Sequence, residues 1–222
     1  MSETEQLKSF IKKLGIDLVG IADLKALKEI PTGLPSPSAL ESILKNYRYA
    51  IVMGVQIGKL GPKASGKDVS MFMEKGIVGV VSFMEEKRFY ALPIHTEDEF
   101  DPVNRIGLLS LKALANAAGL GWQGRSLLIV SPDHGPLHRL GAVLTNMELQ
   151  PDQPIENQCG DCSICVEKCP THALTLVKFD DHPQHREDVL DLQHCLGDDS
   201  CPVCIKVCPF ISGRQLQNNK KP

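Results

Sequence analysis

The sequence has no run of about 20 apolar residues, so no segment is expected to cross a bilayer as a helix. Its opening, MSETEQLKSF, has no basic stretch followed by an apolar one, so no secretory signal is expected and the cytoplasm is the expected compartment. Basic charge is not in excess. Lys plus Arg number 24 against 27 for Asp plus Glu, a net charge of −3, which speaks against a broad nucleic-acid footprint. Cysteine is absent from residues 1–158. What remains is ordinary globular material: 222 residues, 42% hydrophobic and 23% charged. A chain of that length can bury roughly 70% of its unfolded surface, as one domain or a domain with a small appendage.

All eight cysteines lie between Cys159 and Cys208. A disulfide scaffold suits small exported chains, not one whose first 158 residues carry no cysteine. Cys159, Cys162, Cys165 and Cys169 read C-x2-C-x2-C-x3-C-P, the bacterial ferredoxin run for a [4Fe–4S] cluster. Cys195, Cys201, Cys204 and Cys208 repeat it with a stretched first gap, C-x5-C-x2-C-x3-C-P. Structural zinc also uses C-x2-C knuckles, but it needs no trailing C-x3-C-P. In two-cluster ferredoxins the fourth cysteine of each run ligates the other cluster. The expected sets are therefore crossed. Cluster one takes Cys159, Cys162, Cys165 and Cys208, and cluster two takes Cys201, Cys204, Cys169 and Cys195.

Hydrophobic periodicity predicts a helix over 3–14 capped by Gly15, a strand over 17–22, a Pro/Gly loop over 31–37 and a helix over 38–46. A buried strand (YAIVMGVQI) follows over 49–57, a long helix over 68–87, a strand over 90–95 and a helix over 104–118. Strands over 126–130 and 140–146 complete an α/β layer fold. The polar, proline-bearing segment 150–154 reads as a linker. The expected domains are an α/β core over 1–150 and a double-cluster module over 151–222, with a surface loop over 180–193 and a fraying tail from 214.

Two glycine patterns invite nucleotide readings. The run from Gly61 to Lys67 matches G-x4-G-K, but Asp68 stands where a phosphate-binding loop needs Ser or Thr. A loop and helix N-cap is the better reading. Gly119, Gly121 and Gly124 match G-x-G-x-x-G, but they follow a helix and precede a strand, the reverse of a dinucleotide site. A tight turn and a ligand-facing turn both remain open there. His134 and His138 flank Gly135-Pro136 and cannot share a helix face.

From 118 to 174 the sequence AGLGWQGRSLLIVSPDHGPLHRLGAVLTNMELQPDQPIENQCGDCSICVEKCPTHAL joins the glycine turn, a strand–loop–strand and the first cysteine run. It resembles epoxyqueuosine reductase and, more distantly, the reductive dehalogenases. IKKLGIDLVGIAD and YAIVMGVQI are similar to that family's N-terminal helix–strand and first core strand. The resemblance implies a corrinoid-binding α/β core related to flavin nitroreductase folds, with a ferredoxin-like double [4Fe–4S] module. It implies cobalamin between them, reduced through the clusters, and an acidic residue as proton source. Here the family's catalytic aspartate is replaced, in Ile94-His95-Thr96, by His95. Against that family the segment between the 49–57 and 90–95 strands is compressed, and neither a helical-repeat domain after the clusters nor a twin-arginine signal is expected. His95 is then a proton donor near neutral pH, a cobalt ligand or an inert replacement.

Two functions follow. One is an oxidoreductase passing electrons through two [4Fe–4S] clusters to cobalamin, to reduce a small substrate or a partner's corrinoid. Its catalytic candidate is His95, and its cofactor contacts are Gly119, Gly121, Trp122, Gly124, Arg125 and Ser131. The other is a cobalamin-free electron carrier whose α/β part is a docking scaffold or flavin site. Both take electrons from a ferredoxin- or flavodoxin-type partner.

Overall fold

A computed structural model describes residues 2–27, 37–61, 63–96, 105, 107–197 and 200–212. Helix α1 (Glu3–Lys13) opens with a reciprocal cap. The Glu5 N–H donates to the Ser2 hydroxyl, and the Glu5 carboxylate accepts from the Ser2 N–H. Leu7 and Ile11 on its inner face are fully buried. Gly15, at φ +89°, ends it in the left-handed conformation that glycine adopts without penalty. Strand β1 (Leu18–Asp23) follows, then α2 (Pro37–Leu44) and β2 (Tyr49–Gln56). Most of the loop predicted over 31–37 lies outside the described residues. Residues 49–55 are buried throughout, as a continuous apolar run in a central strand requires.

Helix α3 (Gly66–Glu86) starts two residues earlier than its apolar pattern suggests, because Ser65 caps it. The Ser65 hydroxyl accepts from the Asp68 N–H, and the Asp68 carboxylate accepts from both Ser65 donors. That use of Asp68 supports the N-cap reading of the G-x4-G-K segment. The two glycines inside α3 mark close approaches. A Cβ at Gly76 would stand 2.7 Å from Ile16 Cδ1, and one at Gly79 would stand 2.9 Å from Leu14 Cδ1.

Strand β3 (Ala91–Ile94), α4 (Leu111–Ala117), a short hairpin of β4 (Trp122–Gln123) and β5 (Ile129–Val130), and β6 (His138–Thr145) follow. Helix α4 is shorter than the predicted 104–118 because Ser110 caps it, its hydroxyl accepting from the Ala113 N–H. Likewise the strand predicted over 126–130 shrinks to two residues, since 124–128 form the hairpin turn with Leu127 at φ +59°. The main sheet has the order β1-β2-β6-β3. β1 runs antiparallel to β2, with Ile21 opposite Ile51, and β3 antiparallel to β6, with Ile94 opposite Ala142. The class is mixed α/β.

By packing, residues 1–120 and 139–154 form one unit, and 121–138 and 155–222 another. A boundary at 150 assigns 121–138 to the core, whereas those residues pack with the cysteine runs. In the first unit Asp152 accepts from the Ile21 N–H at 2.8 Å and from Lys8 Nζ at 2.6 Å, and its own N–H donates to the Ile21 carbonyl. The second unit carries the β4–β5 hairpin and two single-turn helices, α5 (Ile164–Glu167) and α6 (Val203–Lys206). Its segment 180–193 is less open than predicted. Val189 is fully buried, and the Thr175 N–H donates to the Val189 carbonyl. Among the described residues no helix is long and apolar enough to cross a membrane.

A Cβ at Gly20 would lie 2.1 Å from the Ala118 carbonyl oxygen and 2.5 Å from Leu120 Cδ1. Gly20→Ala should therefore lower stability by about 1–3 kcal/mol in urea denaturation, the usual cost of overpacking. An unchanged midpoint would contradict this packing.

Candidate metal centre

Each cysteine run wraps a one-turn helix. In the first, the Cys162 N–H donates to the Cys159 carbonyl, α5 carries Cys165, and Cys169 follows its last turn. In the second, the Cys201 N–H donates to the Gly197 carbonyl, α6 carries Cys204, and Cys208 precedes Pro209. The Cys195 N–H donates to the Asp191 carbonyl, and the Asp191 carboxylate accepts from the Gln193 and His194 N–H groups. None of the eight cysteines is in a disulfide.

The two runs meet. One cavity is lined by Cys159, Cys162 and Cys165 of the first run and by Cys204 and Cys208 of the second. Burial first, and then the charges of Cys159, Cys162, Cys204 and Cys208, push the Cys165 thiol up to about 12. Cys208 is raised to about 11 by burial first and then by the charges of Cys159, Cys162 and Cys204. Cys204 reaches about 11 by burial, with Cys195, Cys201 and Cys169 as its charged neighbours. The neighbourhoods thus bring Cys208 to the first run's three thiols, and Cys169 and Cys195 to the second run's. Such a cavity disfavours thiolates unless bound iron compensates their charge.

The donor set fits iron–sulfur clusters better than single ions. Among the described residues no three His, Cys, Asp or Glu side chains converge on a point that would hold one metal ion. A zinc site with four bonds of about 2.3 Å would demand that convergence. Thiolates at the corners of an iron–sulfur cube stand further apart.

The residues expected to touch a corrin are spent inside the protein. A Cβ at Gly119 would lie 2.4 Å from the Gln153 carbonyl oxygen, one at Gly121 2.2 Å from that of Val130, and one at Gly124 2.8 Å from Val130 Cγ2. The turn is thus glycine-rich because protein backbone approaches it. Trp122 is 1% exposed, packs edge-on to Phe210 with ring centroids 4.9 Å apart, and donates its Nε1–H to Cys159 Sγ at 3.4 Å. Arg125, 6% exposed, donates to the carbonyls of Val177 at 2.9 Å and Gly160 at 2.8 Å, and stacks over the Phe179 ring. The Ser131 hydroxyl donates to the Gly135 carbonyl and accepts from the His134 N–H. Trp122 and Arg125 thus brace the cysteine-bearing unit, and of their side-chain N–H groups only Arg125 Nε is left without a partner.

His95 lies elsewhere, just past the end of β3. Its side chain is half exposed, and its Nδ1 hydrogen-bonds the Glu74 carboxylate. The other Glu74 oxygen accepts from the Thr96 N–H at 3.1 Å, and the Thr96 hydroxyl donates to the Leu140 carbonyl. Glu74 was invisible in the sequence, since it sits 21 residues away on α3 in no motif. Asn157 left a fainter trace, two residues before a cysteine. Its side chain accepts from the Cys159 N–H and donates to the Gln123 carbonyl.

The family model described as "4Fe-4S dicluster domain" matches residues 158–211. Epoxyqueuosine reductase from Staphylococcus aureus is 31% identical over 159 residues, 69% of this chain and 40% of that protein. Epoxyqueuosine reductase from Bacillus anthracis is 47% identical over 128 residues, 51% of this chain and 32% of that one. The chain thus spans about a third to two fifths of these relatives. Among solved structures, epoxyqueuosine reductase from Bacillus subtilis aligns at TM-score 0.68 and 19% identity, over 96% of this chain and 66% of that one. A reductive dehalogenase described for B12-dependent dehalogenation aligns at 0.66 and 18%, over 93% of this chain and 31% of that one. Another epoxyqueuosine reductase aligns at 0.67 and 21%, over 93% and 64%, and was solved with an epoxyqueuosine-modified tRNA stem loop.

Fold and cysteine pattern together define an iron–sulfur protein with a two-cluster domain. The chain is similar in sequence to epoxyqueuosine reductases and shares its fold with them and with reductive dehalogenases.

His138 begins β6, and its Nδ1 is buried without a hydrogen-bond partner. Burial, and then His134, lower its pKa to about 4. Above pH 6.5 the imidazole is neutral folded or unfolded and contributes nothing. Between about pH 6.5 and 4 only the unfolded chain takes the proton, so stability should fall by up to about 1.4 kcal/mol per pH unit. Chemical denaturation across that window should show the slope in the parent and a shallower one in His138→Gln.

Proposed function

We propose that this chain is an iron–sulfur oxidoreductase unit that takes single electrons from a ferredoxin- or flavodoxin-type partner and passes them through two crossed [4Fe–4S] clusters to a cobalamin acceptor. The observation that carries the reading is the cavity in which Cys159, Cys162 and Cys165 of the first run meet Cys204 and Cys208 of the second. Three thiols from one run and the last of the other form the first ligand set. Cys201, Cys204, Cys169 and Cys195 form the second. The core over 1–150 is the corrin-bearing, nitroreductase-related part in this reading, and 151–222 with the hairpin at 121–138 is the electron entry.

Cobalamin, when bound, supplies a cobalt centre that reduces a small substrate or a partner's corrinoid. The chain's own contribution to that chemistry is His95, half exposed and held through Nδ1 by Glu74, with Nε2 as the atom that carries a proton. Its place matches the family's aspartate, and the changed residue argues for a substrate other than epoxyqueuosine.

One observation favours the cobalamin-free carrier instead. Trp122, Ser131 and two of the three guanidinium nitrogens of Arg125 hydrogen-bond within the protein. Anaerobic absorbance titration of the cluster-loaded chain with cobalamin separates the two. Saturable binding with a shifted cobalt spectrum supports the first, and no binding at high concentration leaves the carrier.

Anaerobic reconstitution should give about eight irons per chain, as two four-iron clusters require. Cys169→Ala should damage the second cluster and spare the first, and Cys208→Ala should do the reverse. Loss of the same cluster in both variants would refute the crossing.

A further inference from the structure

Trp122 and Arg125 are the residues expected at a corrin that the structure puts to another use. Both belong to the cysteine-bearing unit. The Trp122 indole N–H already donates to Cys159 Sγ, a first-cluster ligand, at 3.4 Å. Arg125 lines the cavity in which that ligand set meets. Two of its guanidinium nitrogens are held by the Val177 and Gly160 carbonyls, and its plane by the Phe179 ring. Its third nitrogen, Nε, is buried and has no partner. A guanidinium is permanently cationic, and a buried N–H left unbonded is costly. Carbonyl anchors and an aromatic face are a rigid mount for a charge with which no carboxylate among the described residues forms an ion pair. The nearby Asp161 is engaged by Lys178 at 2.5 Å.

We propose that Arg125, through Nε, and Trp122, through Nε1, are the N–H donors to the sulfurs of cluster one, and that they raise its reduction potential selectively. The inference rests on the two-cluster reading. Adding one electron makes a thiolate-bound cluster more negative, so a fixed cation and N–H···S hydrogen bonds favour the reduced state. Among the described residues, the groups that hydrogen-bond Cys169 of the second set are neutral. The Thr171 hydroxyl lies 3.7 Å from Cys169 Sγ. The buried cation is what separates the two environments.

The test is an EPR-monitored dithionite titration of the full chain after anaerobic reconstitution. Trp122→Phe keeps the ring against Phe210 and removes the N–H. Arg125→Gln removes the charge, and Arg125→Lys restores charge without the Nε donor. Each loss should lower one midpoint potential and leave the other in place. For Arg125→Gln the shift should be at least a tenfold change in the electron equilibrium, 59 mV for one electron, with partial recovery in Arg125→Lys. Comparison with Cys169→Ala assigns the moving potential to cluster one. Unmoved potentials, or equal shifts in both, would overturn the proposal. If Arg125→Gln fails to load iron, Trp122→Phe decides alone. An iron count well below eight in the parent chain is a different failure, that of the two-cluster reading itself.

Discussion

The second unit depends on charge compensation among its thiols. Eight sulfur ligands are gathered from two short runs, and burial together with mutual repulsion holds the innermost thiols far from ionisation. Only iron turns that repulsion into cohesion. Helices α5 and α6 are single turns, too short to be stable by themselves. The aromatic pair Trp122–Phe210, packed with Val130 and Cys159, is a small apolar core for such a unit. Metal binding and folding are therefore one event there. The first unit rests on ordinary hydrophobic burial, with Leu7, Ile11, Ile51, Met73 and Ile77 fully enclosed.

That contrast explains what was legible in the sequence. Helix α1, β2 and α3 were readable because each carries a long periodic or continuous apolar pattern and a local cap or stop. Their ends moved by one or two residues, as at Ser65, whose hydroxyl extends α3 beyond the apolar stripe. Helix α4 was overestimated because the residues before Ser110 share its composition while Ser110 starts the helix. Cysteine spacing stated the metal chemistry directly, since spacing along the chain and ligand geometry are nearly the same thing in these loops.

The glycine turn was legible as special, with a tight turn and a ligand-facing turn both open. Sequence shows that backbone comes close to something at Gly119, Gly121 and Gly124. It does not show that the something is the chain's own carbonyls. Arg125 and Ser131 suffer the same ambiguity, because a buried polar side chain looks alike whether a ligand or a carbonyl occupies its hydrogen bonds. The histidine at position 95 stood out only through a resemblance, and its partner Glu74 not at all, because pairing between a helix and a distant strand end leaves no trace in linear spacing.

The chain crosses between its two units after residues 120, 138 and 154. The segment 121–138 contributes Trp122 and Arg125 to the cysteine-bearing unit and then returns to the sheet as β6. A ferredoxin excised at 155 would carry every sulfur ligand but lack the hairpin that covers the first of its clusters. The cluster unit is thus not a transferable cassette appended to a scaffold. Grafting it, or recombining it with another core, requires moving two separated pieces of chain together, and natural exchange of the redox module would be constrained in the same way.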